Sequence, residues 1–308
     1  MTIPNNYKEN SMSLNLFLQN VANGLSLGSL YALIAIGYTM VYGILRLINF
    51  AHGEIFMLAP YFLYFGVLIF HLPWWASIIV AIALTATTGM LSERIAYKPL
   101  RDAPRISVLI SAIGVSFFLQ NLAIVVFSGI PKAVHRPEFF TRLYRFGEIR
   151  IQSTLFASII VSSIFLTLLL YVVYRTKTGL AMRAISTDIE TSRLMAVDVD
   201  KTISITFIVG SALAAVGGIL WGLRFPQLFP TMGMIPGLKA FIAAVVGGIG
   251  NIPGAMLGGL ILGMSEILFV AFLPALSGYR DAFVFLILIL ILLFKPDGIL
   301  GKKIQEKV

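Results

Sequence analysis

The chain contains no cysteine, only three histidines and few charged residues for its 308 positions. Without cysteine it can form neither disulfide bonds nor thiolate metal sites. Charged residues make up 12% of the sequence and apolar residues 58%, whereas soluble domains carry about twice that share of charge. Several apolar stretches exceed the roughly 20 residues that a helix needs to cross a bilayer. The composition therefore excludes a soluble protein and predicts an all-α, polytopic membrane protein.

The apolar runs predict about eight transmembrane helices and one short or re-entrant helical element. The membrane domain is expected over 16–300, between a polar N-terminal tail at 1–15 and a basic C-terminal tail at 301–308. In the polar connection at 128–152, apolar and polar residues alternate between Phe146 and Ile151, which allows a short β-hairpin. The predicted spans lie at 16–45, 47–70, 74–92, 106–127, 153–174, 202–223, 238–272 (broken near Gly250) and 282–294.

The distribution of basic residues predicts the orientation. Fourteen of the 23 Lys and Arg residues lie at Arg46, in 93–105, in 175–201 and after the last span. Cytoplasmic loops carry an excess of Lys and Arg, so the segment 175–201 is expected in the cytoplasm and the N-terminus outside. The same bias explains the net charge of +9, and no nucleic-acid partner is expected.

Asn49, His52 and Glu54 form a close group of polar residues near the start of the second apolar run. H-x-E begins the zinc deaminase signature, but its second half requires cysteines, and H-E-x-x-H does not occur. We therefore expect no catalytic residue and no metal site. Two interpretations remain. In the first, Asn49 is a helix cap and Glu54 a first-turn residue of a polar hinge. In the second, the group lines a solute pathway, since ionisable residues at membrane depth usually face a cavity.

Glycines at a spacing of four predict places where helices pack closely. The alternative for the cluster at 247–254 is an unwound segment that lines the pathway. A nucleotide site is not expected there, because Pro253 stands where the dinucleotide fingerprint requires glycine and the chain contains no phosphate-binding P-loop. The predicted packing positions are Gly24, Gly28, Gly250, Gly254 and Gly258.

The predicted spans lack the charges that ion-coupled pumps need. No Asp, Glu, Lys or Arg occurs in 55–92, 106–127, 153–174 or 202–223, whereas proton and ion pathways use chains of such residues. For Lys239 and Glu266, structural pairing or interfacial snorkelling is expected before a proton relay. The driving force of such a protein must come from elsewhere.

The segment 175–201 is too long and too charged for a simple connector, with nine charged residues among 27. Its apolar spacing predicts a short helix that opens at Gly179 and a second one from about Asp188 to Val197. The apolar face of the second helix is expected to consist of Ile189, Leu194 and Val197. A partly helical, mixed-charge loop in water is typical of a docking surface for a soluble partner.

Five stretches resemble the permeases of high-affinity branched-chain amino acid ABC importers, and in particular the first of their two paralogous membrane subunits. INFAHGE (Ile48–Glu54) and GGIGNIPGA (Gly247–Ala255) are specific to that family, and the resemblance covers nearly all of the chain after the tail. The five stretches are Asn23–Glu54, Ser92–Arg101, Leu109–Asn121, Lys177–Ile185 and Lys239–Gly263.

The resemblance implies the partners of the protein. They would be a second, paralogous permease subunit, a pair of cytoplasmic ATP-binding subunits and a periplasmic substrate-binding protein. The substrate would be a branched-chain amino acid, the location the bacterial inner membrane with its lipid, and no cofactor is implied for this chain.

The resemblance also implies that 175–201 is the segment that couples to the ATPase. ABC importers often carry E-A-A-x3-G in such a loop. Here Glu190 is kept, whereas Thr191, Ser192 and Ala196 replace the two alanines and the glycine. The expected ATPase-coupling residues are Arg183, Glu190 and Arg193.

Three other functions remain open at this point. Urea and short-amide importers of the same family share the motifs, so the motifs do not fix the solute. An ion-coupled secondary transporter is disfavoured by the uncharged spans. A membrane-embedded enzyme using His52 and Glu54 would lack metal ligands and a paired nucleophile.

Overall fold

The computed structural model describes residues 14–101, 103–134, 136–146 and 149–301. The predicted tails at 1–15 and 301–308 lie almost wholly outside these residues. In the described part of the chain, the α-helices are α1 Leu14–Leu45, α2 His52–Leu68, α3 Trp74–Ser92, α4 Arg105–Phe127, α5 Glu138–Thr141, α6 Ser153–Arg175, α7 Lys177–Thr187, α8 Ile189–Leu194, α9 Val199–Arg224, α10 Met234–Gly247, α11 Ile252–Phe272 and α12 Arg280–Phe294.

Seven helical segments of the described residues are long and apolar enough to span a membrane, and two apolar helices, α2 and α10, are shorter. At 1.5 Å per residue, the 17 residues of α2 extend about 25 Å and the 14 residues of α10 about 21 Å, against a hydrocarbon core of about 30 Å. Helix α10 is therefore too short to cross and is the predicted short element. The predicted fold class is confirmed.

Helix α1 forms the centre of the bundle, and its residues from Ser26 to Val41 are all buried. It packs against α6, α9, α10 and α11, while α2 packs against α3 and α9. The peripheral helices α4, α6 and α12 instead expose large apolar side chains, such as Phe117, Ile164 and Leu293. Such a distribution is expected where the surroundings are lipid or another membrane subunit.

Glycines bring α11 against α1. A Cβ atom placed on Gly28 would lie 2.8 Å from Leu260 Cα, and one placed on Gly24 would lie 2.7 Å from Met264 Sδ. On α11, Gly263 faces the backbone of Gly28 in return. The two helix backbones approach so closely here that only glycine fits without a shift.

The opposite face of α11 packs in the same way against α10. Gly254 and Gly258 both face Gly247, where an added Cβ atom would lie 2.5 Å and 2.8 Å from backbone atoms. Gly250 does not belong to this ridge, contrary to the prediction. It lies in the loop before α11 with a φ of +91°, a backbone conformation that favours glycine.

The predicted loop at 93–105 is instead mostly a helical extension of α3. It forms a π-helical turn over Glu93–Tyr97 and a 3₁₀ turn over Lys98–Leu100. The reason is the fully buried carboxylate of Glu93, which accepts hydrogen bonds from Arg101 and, at 2.8 Å, from Ser204 Oγ. The continued helix brings Arg101 back over Glu93, and a buried charge is thereby paired.

Within the described residues, four short strands lie in the polar connections at one end of the bundle. The predicted hairpin is confirmed, since β2 (Leu143–Phe146) pairs antiparallel with β3 (Ile149–Gln152). The other two strands, β1 (Lys132–Ala133) and β4 (Gln227–Leu228), also pair antiparallel. They join the connection after α4 to the connection after α9, a contact that no periodicity in the sequence predicts.

Candidate functional site

Helices α2 and α10 begin next to each other inside the bundle. A Cβ atom placed on Gly53 would lie 2.8 Å from Gly233 O and 3.3 Å from Gly237 Cα. The neighbouring His52 packs on Gly37, eight residues before the end of α1, a distance of about 12 Å along that helix. The two helix N-termini therefore meet well inside the bundle rather than at its end.

A cavity of about 150 Å³ lies in front of these N-termini, between α1, α2, α4 and α10. Its polar lining consists of Tyr38, Glu54, Ser116 and Gln120. Its apolar lining consists of Phe50, Ile113, Phe117, Met234 and Leu238. A small number of polar groups in a mainly apolar wall is the usual composition of a small-molecule site.

Glu54 is the ionisable residue that α2 directs into this cavity. It lies in the first turn of α2, where the positive end of the helix dipole favours a carboxylate. Its side chain is buried, with 4% of its surface exposed. Within the described residues, its Oε2 atom has no hydrogen-bond partner. No Lys or Arg of that part of the chain lines the cavity.

His52 does not line the cavity, although it is close to Glu54 in sequence. Its ring packs edge-on against the Tyr38 ring, with centroids 4.5 Å apart. A side chain on Gly37 would overlap the imidazole, so the ring fills a space that this glycine leaves open. His52 therefore positions Tyr38, which is itself part of the cavity wall.

Asn49 also stands behind the cavity rather than in it. Its Oδ1 atom accepts hydrogen bonds from Tyr97 Oη at 2.6 Å and from Ala51 N at 3.1 Å. The N-cap of α2 is Ala51, so Asn49 is not the direct cap that the hinge interpretation predicts. It fixes the turn before α2 and links that turn to the extension of α3.

A separate polar cluster ties α10 to its neighbours. Lys239 Nζ lies 2.8 Å from Glu266 Oε1, and Tyr31 Oη donates to Glu266 Oε2 at 2.9 Å. Lys239 is also 2.7 Å from Asp281 Oδ1, a charge contact without hydrogen-bond geometry. The predicted structural pairing of Lys239 with Glu266 is confirmed. This ion cluster (Tyr31, Lys239, Glu266, Arg280 and Asp281) connects α10 with α1, α11 and α12.

The charged segment 175–201 forms two short helices beside the end of α1. Helix α7 begins at Lys177, before the predicted start at Gly179, because Thr176 Oγ1 accepts from Gly179 N at 3.1 Å and caps it. Asp188 caps α8 through a 3.0 Å hydrogen bond from Thr191 N. Both starts follow from side-chain capping of free helix N–H groups.

The outward face of these two helices carries the predicted coupling residues. Arg183, Glu190 and Arg193 are all exposed, and the Arg183 guanidinium lies 5.4 Å from the centre of the Tyr174 ring. Leu194 does not belong to the buried face, contrary to the prediction, because 85% of its surface is exposed. An apolar tip surrounded by charges is thus presented to the surroundings of the bundle.

Ala196 ends α8 in a conformation that is rare for residues other than glycine. Its φ is +58°, Ala196 N donates to Arg193 O, and Val197 N donates to Ser192 O, both at 3.1 Å. This is the Schellman arrangement, in which the residue after the helix is usually glycine. Ala196 stands where the importer motif has its glycine, and its positive φ is one that glycine adopts readily.

Part of the cavity wall could have been found in the sequence. Ser116 and Gln120 are polar residues four apart in an uncharged span, and a spacing of four places them on one face of a helix. Gly233 and Gly237 are also four residues apart in the sequence. That spacing does not indicate that both glycines contact Gly53. That contact depends on the relative position of α2 and α10.

Comparison with known proteins agrees with this architecture. Residues 20–292 match the family described as branched-chain amino acid transport system, permease component. The chain is 41% identical to the high-affinity branched-chain amino acid transport system permease protein BraD of Pseudomonas aeruginosa, over 95% of this chain and 98% of BraD. It is 43% identical to the corresponding permease protein LivH of Salmonella typhimurium, with the same two coverages. This chain therefore belongs to the family of branched-chain amino acid transport permease components.

Proposed function

We propose that this protein is the membrane-spanning permease subunit of an ATP-driven ABC importer that carries branched-chain amino acids into the cytoplasm. The observation that carries the proposal is the identity of 41–43% to branched-chain amino acid permease proteins over 95% of the chain. The protein is a multi-pass protein of the bacterial inner membrane. The relatives named above are described for branched-chain amino acids, so we do not propose urea or short amides as the solute.

The proposed partners are inferred from the missing P-loop and from the exposed apolar surface of the bundle. The sequence contains no P-loop, so ATP would be hydrolysed by separate cytoplasmic subunits. A second permease subunit would cover part of the exposed apolar surface, and a periplasmic binding protein would deliver the amino acid. Phe117 and Met234, which border the cavity, are 61% and 54% exposed. The cavity thus opens towards a surface on which the second permease subunit could complete the pathway.

Coupling to the ATPase would occur through α7 and α8. Their outward face combines the exposed charges of Arg183, Glu190 and Arg193 with the apolar tip at Leu194 and Met195. A short helix of this kind fits a groove in a soluble partner, and its rigid-body displacement would move the attached spans α6 and α9. The segment 175–201, predicted to be cytoplasmic, is the proposed docking surface.

Reconstitution tests the function. The chain would be purified with its second permease and ATPase subunits, inserted into liposomes and supplied with the binding protein and radiolabelled leucine. Uptake that requires ATP and all subunits is expected. Leucine uptake by this chain without any ATPase would contradict the proposal, and so would ATP-driven uptake of urea in place of leucine.

Charge reversal tests the docking surface in the same system. Glu190→Arg and Arg193→Glu are expected to reduce ATP-driven uptake, because both side chains would meet the ATPase. Arg94→Glu is the matched control, since this exposed residue lies in the extension of α3, outside the segment 175–201. Equal loss of uptake in the control and in the two α8 variants would contradict a specific role of α8.

A further inference from the structure

We propose that Glu54 binds the ammonium group of the transported amino acid, and that the cavity before α2 and α10 is the amino acid's site in the permease. This inference rests on the proposed function, because it names the contact by which an amino acid would be held during passage. It concerns a binding residue of the pathway and not selection by the binding protein.

The buried acidic side chains differ in their partners. Three acidic side chains of the described residues are buried, namely Glu54, Glu93 and Glu266. Glu93 binds Arg101, and Glu266 binds Lys239. No salt bridge involves Glu54 in the described part of the chain, and its Oε2 atom has no hydrogen-bond partner there. A buried carboxylate without a cation partner is costly, and an ammonium group that enters the cavity would supply that partner.

The groups around Glu54 suit an ammonium cation. An ammonium group has three hydrogen-bond donors and no acceptor. The cavity wall around Glu54 also contains the hydroxyls of Tyr38 and Ser116 and the side-chain amide of Gln120, whose oxygen atoms can accept hydrogen bonds. No Lys or Arg occurs among the described residues that line the cavity, so none competes for the Glu54 carboxylate. The site is therefore suited to a primary ammonium group.

The cavity also offers surfaces for the carboxylate and the side chain of the amino acid. The N-termini of α2 and α10 meet at the cavity, and helix N-termini favour a negatively charged group such as a carboxylate. Phe50, Met234 and Leu238 supply apolar surface for a branched side chain. Broken helices whose N-termini face anionic groups of the substrate are a known arrangement in transporters. The cavity thus offers complementary surfaces to all three parts of an aliphatic amino acid.

The absence of cysteine from the chain allows a direct test. Ser116→Cys introduces a single thiol beside Glu54, and the rate at which a small methanethiosulfonate reagent modifies it is measured by mass in the reconstituted complex. Leucine is expected to slow this modification, whereas 4-methylpentanoate, which lacks the ammonium group, is not. Ser277→Cys is the matched control, since this exposed serine does not line the cavity, and leucine should not change its rate.

Glu54→Gln in the Ser116→Cys background completes the test. The apparent affinity for leucine, measured as protection of the thiol, should fall about 10- to 100-fold, as expected when a hydrogen bond to a charged group is lost. Glu54→Asp, which keeps the charge, should retain part of the protection. Monodisperse elution of each variant with its partner subunits shows that it is folded.

Three results would overturn the inference. They are the absence of leucine protection at Ser116→Cys, equal protection by 4-methylpentanoate, and unchanged protection in Glu54→Gln. ATP-driven leucine uptake is measured in parallel on the wild-type complex and on the Ser116→Cys complex in which protection is measured. If uptake proceeds and protection is absent, Glu54 is not the binding residue, while the proposed function stands. If uptake itself is absent, the proposed function fails.

Discussion

Glu54 and Glu266 are the same residue type, with almost the same small exposure of 4% and 2%, in apolar helices of one bundle. Their surroundings differ completely. Both carboxylate oxygens of Glu266 are occupied, one by Lys239 and the other by Tyr31. Glu54 faces a cavity with one oxygen unpartnered among the described residues. Burial alone therefore does not distinguish a structural acid from a binding acid, whereas the set of partners does.

The two acids should respond differently to substitution, because within the described residues only Glu266 has a buried cation partner. A buried ion pair adds little net stability, but the loss of one partner leaves an uncompensated charge and is strongly destabilising. Glu54 has no salt-bridge partner among the described residues, so its neutralisation leaves no cation uncompensated there. Variants of the ion cluster should therefore change stability, and variants of Glu54 should change transport.

The largest effect is expected for Lys239→Met. This change removes the ammonium group between Glu266 and Asp281 and leaves Glu266 with the largely exposed Arg280, whose Nε lies 3.3 Å from Glu266 Oε1. Removal of the buried member of such a pair costs about 3–5 kcal/mol. The free energy of unfolding would be measured by titration with sodium dodecyl sulfate in mixed micelles. A loss below about 1 kcal/mol, the usual size for an exposed ion pair, would show that the cluster is not a buried structural pair.

A double variant sharpens this prediction. Glu266→Gln removes the charge that Lys239→Met strands, so the two changes together should cost less than the sum of their separate costs. The coupling energy is expected to reach about 1–3 kcal/mol, the upper part of the range for residues in one network. Strict additivity in the same unfolding assay would mean that Lys239 and Glu266 act independently, against the 2.8 Å contact between them.

A smaller effect is expected for Tyr31→Phe, with Tyr61→Phe as its matched partner. The Tyr31 hydroxyl donates to Glu266 at 2.9 Å, and loss of a hydrogen bond to a charged group costs about 1.5–3 kcal/mol. The Tyr61 hydroxyl is buried without a partner among the described residues, so its removal should leave stability equal or higher. If Tyr61→Phe proves as costly as Tyr31→Phe, lost packing and not the hydrogen bond would explain both values.

The sequence was sufficient for those features that depend on local patterns. Uncharged apolar runs predicted the bounds of α1, α4, α6 and α9 to within three residues, because a bilayer requires about 20 consecutive apolar residues. The break before α11 followed from the glycine and proline cluster at 247–254. The extension of α3 was missed, because it depends on a bond between Glu93 and Ser204, and residues so far apart leave no periodic signal.

The site was only partly predictable for the same reason. Asn49, His52 and Glu54 were recognised as one group because polar residues are rare in such a chain. The sequence could not separate their roles, since the direction of each side chain depends on α1, α3 and α10. Asn49 contacts Tyr97, His52 contacts Tyr38, and Glu54 faces the cavity.

The smallest change in stability, and the decisive one for the comparison, is expected for Glu54→Gln. No cation loses its partner in this variant, and glutamine has nearly the same shape, so the free energy of unfolding should stay within about 1 kcal/mol of the wild type, the value of one ordinary hydrogen bond. ATP-driven leucine uptake by the same preparation should nevertheless fall strongly, whereas Glu138→Gln, which neutralises an exposed acid in α5, should leave both quantities unchanged. A stability loss comparable to that of Lys239→Met would place Glu54 with Glu266 among the structural acids, because only a residue with a partner in the folded protein can be so costly to neutralise.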